Sequence, residues 1–306
     1  MANYQGTVGD DHIIVPANDD FDSIYANTGS DLIEVDPAHT GRCSISLRDG
    51  GDTVYGGPGV DYLSWYEDSP IENTQFYGGA GNDIVFLNDS AEIGDNIVLD
   101  GGAGRDSFWL HGRGIFADLG KGTALIGRDG EPGVFHELSL LNFDWVDGTG
   151  EHDILVGSDR GNAFRGFLGN DLLSGRGGTD HLEGGWGDDI LVGGRGADGL
   201  QSDRGADIIR VDRLVESLPG EEDTILDFSI SDTIDLSRID ADLTTAGEQA
   251  FAFIGTADFS GSAGELRTEV VGNDLRLLAD ADGDQVADFA VTVTGVTGMA
   301  KDDFIL

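Results

Sequence analysis

One cysteine, two methionines, six prolines and two lysines are all that this 306-residue chain holds of those types. A lone Cys43 leaves no internal disulfide to staple a fold. Cations are scarce: 17 Lys and Arg stand against 58 Asp and Glu, for a formal charge of −41. That balance excludes the basic stripe a nucleic-acid binder needs and disfavours docking on anionic lipid. No run approaches the roughly 18 apolar residues of a membrane-spanning helix. The opening MANYQGTVGDD has neither the charged n-region nor the apolar h-region of a Sec-type signal peptide. Catalytic signatures are missing too. There is no G-x-S-x-G elbow, P-loop or dinucleotide fingerprint. The string nearest to H-E-x-x-H is His136-Glu137-Leu138-Ser139-Leu140, with Leu140 where zinc would want the second His.

What is abundant is glycine, 49 residues, and aspartate, 44 against only 14 glutamates. Asp is short, suits turns and chelates hard cations. With 39% hydrophobic residues the chain can still build a core. From Gly148 to Arg210 it reads in nines: GTGEHDILV, GSDRGNAFR, GFLGNDLLS, GRGGTDHLE, GGWGDDILV, GGRGADGLQ, SDRGADIIR. Position six is Asp153, Asn162, Asp171, Asp180, Asp189, Asp198 and Asp207, and position eight is always large and apolar. Gly-rich turns permit φ > 0 and close backbone approach. Three residues then make a short strand with one side chain turned inward. Two nonapeptides close a coil, so residues 18 apart stack, with Asp153, Asp171, Asp189 and Asp207 on one edge and Asn162, Asp180 and Asp198 on the other. Stacked carboxylates repel unless a cation lies between them. Calcium fits, since it takes six to eight oxygens and accepts backbone carbonyls. The expected ligands are these side chains with carbonyls of Gly185, Gly187, Gly194 and Gly196.

At position seven one outer face carries Ile154, Leu172, Ile190 and Ile208. This reads either as ordinary strand propensity or as a face covered by another part of the chain or by a second copy.

The first half repeats with wider rungs. GTVGDDHII (6–14), ANDDFDSIY (17–25), ANTGSDLIE (26–34), LRDGGDTVY (47–55), GGPGVDYLS (56–64), GGAGNDIVF (78–86) and GGAGRDSFW (101–109) are near-matches. Their spacing of 22–23 residues from Gly56 to Gly101 predicts a broader parallel β-helix, with IFADLG (115–120) as its next strand. Asp11, Asp31, Asp61, Asp83 and Asp106 are the matching candidate ligands. Stacked rungs would also align Tyr66, Asn88 and His111, with Arg113 alongside. Tyr or His to move a proton and Asn or Arg to neutralise a carboxylate are groups a uronate polysaccharide lyase or epimerase uses. Cys43 has no obvious base near it in sequence and reads as an ordinary thiol.

The nonapeptides resemble the RTX repeat of calcium-binding parallel β-rolls. Beyond residue 211, DTILDFSISDTIDLSRID (223–240), AFAFIGTADFSGSAGELR (250–267), DADGDQVADFAVTVTG (280–295) and the end KDDFIL resemble the C-terminal secretion module of serralysin-type metalloproteases, also found on alginate epimerases. The resemblance implies an uncleaved signal for type I, ABC-transporter secretion, a Gram-negative source and an extracellular destination. Asp280, Asp282, Asp284 and Asp288 look like a further cation loop, although Gly283 and the missing Glu depart from an EF-hand.

The expected fold is all-β: a right-handed parallel β-roll or β-helix solenoid with a small β-rich C-terminal module. The segments are 1–147 wide-rung, 148–210 regular roll and 211–306 secretion domain. The expected function is that of a secreted protein that folds on several extracellular Ca²⁺ ions and serves a structural, adhesive or host-contact role. Zinc protease activity is not expected. The alternative is a carbohydrate-active enzyme on the wide rungs. Partners would be calcium, the type I machinery, an extracellular glycan, and a second copy on the apolar face.

Overall fold

The computed structural model describes residues 1–65, 70–88, 93–127 and 135–306. Among them no helix is long and apolar enough to cross a membrane. The chain forms two compact units, Met1–Leu155 and Val156–Leu306. Both are β-solenoid in construction, as the repeat pattern predicts.

In the first unit, strands Asn3–Gln5, Asp22–Thr28, Cys43–Asp49, Asp61–Trp65, Ile84–Leu87, Ser107–Leu110 and Trp145–Asp147 pair in parallel, each with the next. A second parallel stack runs through His12–Val15, Leu32–Val35, Thr53–Tyr55, Gln75–Tyr77 and Ile97–Asp100. Alternation puts every second side chain inward. Ile24, Ile45, Leu63, Val85, Phe108 and Val146 line up on one side of the core. Ile33, Val54, Phe76, Leu99 and Leu140 line up on the other, and all are buried.

One strand assignment changes. Ile115–Asp118 is not the next rung after Ile97–Asp100: it pairs antiparallel with Thr123–Gly127, which pairs antiparallel with Phe135–Leu141. That last strand takes the rung, parallel to Ile97–Asp100. The reason is local. Lys121 N–H donates to Asp118 O, and Gly122 has φ +70°, so D-L-G-K-G turns the chain back on itself.

In the second unit the apolar position eight forms both core columns. Phe164, Leu182, Leu200, Ile225 and Val293 stack on one side. Leu173, Leu191, Ile209, Ile234 and Phe304 stack on the other. Burial of each such side chain is worth about 1.5–3 kcal/mol. The strands from Ala163–Leu168 to Gly199–Arg204 are six residues long, as in His181–Trp186, while the flanking Ile154–Val156 and Ile208–Arg210 keep the expected three. Positions one to three of the following repeat stay in register with the neighbouring coil, as the Phe167–Gly185 and Leu168–Trp186 pairs show.

The solenoid does not stop with the nonapeptides. Asp223–Ile225 and Thr233–Asp235 add parallel strands to Gly199–Arg204 and Ile208–Arg210. The antiparallel strands Glu265–Val271, Asp274–Asp280 and Phe289–Val293 follow, and the tail strand Phe304–Ile305 pairs with Thr233–Asp235. Leu172, Ile190 and Ile208 align at position seven. A short 3₁₀ helix, Leu214–Glu216, touches the strand Ile190–Arg195, whose Val192 is buried. Part of that face is thus covered by the chain itself.

Candidate metal centre

Position six builds a ladder. Asn162 N–H donates to Asp180 Oδ1 at 2.6 Å, Asp180 N–H to Asp198 Oδ1 at 2.8 Å, and Asp198 N–H to Asp223 Oδ1 at 3.1 Å. On the other edge Asp171 N–H donates to Asp189 Oδ1, Asp189 N–H to Asp207 Oδ1, and Asp207 N–H to Asp232 Oδ1. Each carboxylate thus spends one oxygen on the coil before it.

The second oxygen is turned into the carboxylate's own turn. A Cβ built on the position-one glycine would lie 2.1 Å from Asp180 Oδ2 at Gly175, and 2.6 Å from Asp189 and Asp198 Oδ2 at Gly184 and Gly193. Glycine is required there for space, since none of the three has a positive φ. Asp180, Asp189, Asp198 and Asp207 all keep Oδ2 buried with no hydrogen-bond partner. A buried acceptor without a donor costs about 1–3 kcal/mol, more when charged. Burial accordingly pushes the Asp180 and Asp207 carboxyls up to about 7 and that of Asp198 to about 6. It also raises Asp189.

The candidate glycines close the same turns. Gly187 and Gly196 have φ +137° and +126°, and a Cβ on either would sit 1.5–1.6 Å from the carbonyl oxygen of Gly169 or Gly178 one coil earlier. Gly185 and Gly194 meet Phe167 and Arg176 carbonyls in the same way. Orphaned carboxylate oxygens and bare glycine turns make a cradle of hard oxygen donors, which suits a calcium ion.

The first unit repeats the device. Asp11 N–H donates to Asp31 Oδ1 and Asp31 N–H to Asp52 Oδ1. On the other edge Asp61 N–H donates to Asp83 Oδ1 and Asp83 N–H to Asp106 Oδ1, at the predicted separations of 22 and 23 residues. Asp31, Asp52 and Asp83 keep Oδ2 buried and unpartnered, and Asp61 keeps Oδ1 so. Burial raises Asp52 to about 7, Asp61 to about 6 and Asp83 to about 8. Asp153 accepts from Ile115 and Thr149 amides, and burial holds it at about 6.

Four carboxylates were not singled out as ligands from sequence. Asp22 and Asp52 are position six of the near-matches at 17–25 and 47–55. Asp223 and Asp232 lie nine residues apart in the repeated D-T-I of DTILDFSISDTIDL. Each follows its ladder partner by 25 residues instead of 18, which breaks the visible phase.

Elsewhere, Asp280, Asp282 and Asp288 each bring one oxygen within 4.8 Å of the others, the one such group among the described residues. Asp284 stands apart, accepting from Val286 N–H. Asp280 already accepts Gly283 and Gln285 amides and is fully buried.

Of the residues aligned for proton transfer, Tyr66 lies outside the described residues. Asn88 donates to the Trp65 carbonyl, His111 packs edge-on against Phe86, and Arg113 is half-buried. His111 does line an open groove of about 560 Å³ with Phe21, Arg42, Tyr62, Phe86 and Trp109. The small Ser44 and Ser64 leave the depression between the rings.

Residues 148–306 match the family model for the peptidase M10 serralysin C terminal. Residues 44–64 and 74–91 match the model for the RTX calcium-binding nonapeptide repeat. No curated protein matches the chain. Among solved structures, it is similar to the solution structure of the AlgE6R2 subunit of the Azotobacter vinelandii mannuronan C5-epimerase, at 25% identity and a TM-score of 0.29, over 52% of this chain and 91% of that one. The AlgE6R3 subunit of the same epimerase gives 24% and 0.24, over 58% and 84%. The extracellular lipase LipA from Serratia marcescens gives 16% and 0.21, over 88% of this chain and 45% of that one.

Proposed function

The chain belongs to the serralysin C-terminal family and carries RTX calcium-binding repeats, and from that premise we propose that its paired carboxylate columns hold calcium between successive coils and make a rigid extracellular surface of a chain exported unfolded. It is a secreted, calcium-binding β-solenoid. The C-terminal module supports export by the type I route. The role of the folded product is structural, adhesive or host-contacting.

The observation that carries this reading is the set of buried, unpartnered oxygens on Asp180, Asp189, Asp198 and Asp207. Bound calcium would supply the positive charge these oxygens lack, while Asp and glycine carbonyls supply its hard ligands. Counting ions tests the assignment. Equilibrium dialysis of the chain with Asp180, Asp189, Asp198 and Asp207 all changed to Asn should show fewer tight calcium ions than the parent. An unchanged count would remove these residues as ligands. The same measurement on Asp280→Asn and Asp288→Asn decides whether the separate Asp280–Asp288 loop takes an ion of its own.

Contact with an extracellular glycan is the second reading, and the groove favours it. Phe86 and Trp109 give the groove an aromatic lining suited to a pyranose, and Arg42 makes no ion pair among the described residues despite the acidity of the chain. An acidic sugar would find both kinds of contact. Calcium-loaded protein should bind acidic oligosaccharides on a sugar array and lose that binding on Trp109→Ala. Binding that survives the change would move the contact elsewhere. A lyase or epimerase on these rungs would further reveal itself by unsaturated or inverted products that disappear on His111→Ala.

A further inference from the structure

In the first unit, one rung of the carboxylate ladder holds a thiol. Register places Cys43 opposite Asp22 on one side and Asp61 on the other, and Asp61 continues to Asp83 and Asp106 by the ladder bonds. The thiol therefore occupies a position-six site. At that rung the chain has exchanged a hard oxygen for a soft sulfur, and it has added an imidazole. His39, four residues upstream, brings Nε2 to 3.5 Å from Cys43 Sγ. His39, Cys43, Asp22 and Asp61 are all fully buried.

The imidazole is oriented. Its Nδ1 lies 3.0 Å from the Pro16 carbonyl oxygen. A carbonyl only accepts, so Nδ1 carries the proton and Nε2 presents its lone pair toward the sulfur. A carbonyl fixing the far nitrogen is the arrangement by which metal-binding histidines are held. Asp61 Oδ2 accepts from Gly57 N–H, while its Oδ1 is buried without a hydrogen-bond partner beside the rung that Cys43 occupies. Asp22 is satisfied by Ala2 N–H and the Asn18 amide and is not counted as a ligand.

We propose that Cys43 Sγ, His39 Nε2 and Asp61 Oδ1 form a zinc site set into the calcium column. The separation is right: ligands at about 2.3 Å for sulfur and 2.0–2.1 Å for nitrogen, at a tetrahedral angle, stand about 3.5 Å apart. The donors are right as well, since thiolate and imidazole select zinc over calcium, which wants oxygen alone. Asp61 lies close to both Cys43 and His39, and closing the third ligand takes a rotation of its side chain, because the three donor atoms do not all stand within 4.8 Å of one another. The thiol releases its proton to solvent as the Zn–S bond forms. Nothing in this assignment depends on which residues bind calcium in the other rungs.

The full chain, held folded in excess calcium, is the material for the test. Micromolar zinc should bind at one ion per chain by native mass spectrometry. Cobalt in its place should show a thiolate-to-metal charge-transfer band. Cys43→Ser should abolish the band and weaken zinc by more than the roughly 10–100-fold that loss of an outer-shell partner costs. Cys43→Asp restores the residue found on neighbouring rungs, so it should keep the fold, lose zinc and gain calcium. Absence of stoichiometric zinc on the parent overturns the site. So does zinc binding that Cys43→Asp leaves intact, since the ion would then sit elsewhere.

Discussion

Freed of calcium at neutral pH, the chain should lose its strand signal in far-ultraviolet circular dichroism, and millimolar calcium should restore it. The argument is a comparison of magnitudes. Ladder partners such as Asp180, Asp198 and Asp223, or Asp189, Asp207 and Asp232, lie on adjacent strands. Strands are spaced about 4.8 Å, and two unit charges at about 4 Å repel by roughly 4 kcal/mol at the effective dielectric of a protein surface. A few such pairs equal the about 5–15 kcal/mol by which a whole domain is stable. The apolar columns cannot absorb that, because each coil contributes only one large inward side chain per nonapeptide. A cation bound only by the folded form reverses the sign. At a hundredfold excess over its dissociation constant each ion contributes about 2.7 kcal/mol, so several ions together restore a stable domain. The same strand content in chelator and in calcium would end the reading.

Most of this was legible in the sequence, and the exceptions have physical causes. Gly148 to Arg210 could be phased because position eight has to fill the core and position six has to cap the turn, and both constraints recur every nine residues. The phase is lost after Arg210, where Asp212, Leu214 and Glu216 belong to an inserted segment over the roll. Asp223 and Asp232 are therefore ladder members whose distance from Asp198 and Asp207 no longer matches the period. Ile115–Asp118 has the composition of a rung, but the turn at Asp118–Gly122 outweighs it. The groove could not be seen at all. It depends on the side-by-side placement of Phe86, Trp109, Arg42 and the small Ser44 and Ser64, from four separate stretches of chain. Cys43 looked isolated because a rung's meaning lies in its neighbours. His39 was four residues away throughout, yet only the register with Asp61 makes the pair part of the column.

Acid should partly replace calcium, and the pH dependence should change sign with the metal. In the metal-free fold, burial raises the carboxyls of Asp198 to about 6, Asp180 and Asp207 to about 7, and Asp223 to about 8. In the unfolded chain they titrate near the ordinary value of about 3.9. A folded value above the unfolded one means the folded form holds its protons more tightly. The stabilisation is then complete below about pH 4 and drains away as pH rises through the folded values. Each such group removes about 1.4 kcal/mol per pH unit across that window. Metal-free protein should therefore regain strand signal and melt higher at about pH 5 than at about pH 8, where these carboxyls would have to be charged and bare. With millimolar calcium the order inverts. The ions need the carboxylates deprotonated, so protons compete with them and the melting temperature falls toward acid. Melting curves at both pH values, in calcium-free buffer and in calcium, check the crossing. Parallel curves would mean that the buried ladder carboxylates are not where calcium and protons compete. Curves that cross, with the crossing diminished by Asp180→Asn and Asp207→Asn, would place that competition on the column itself.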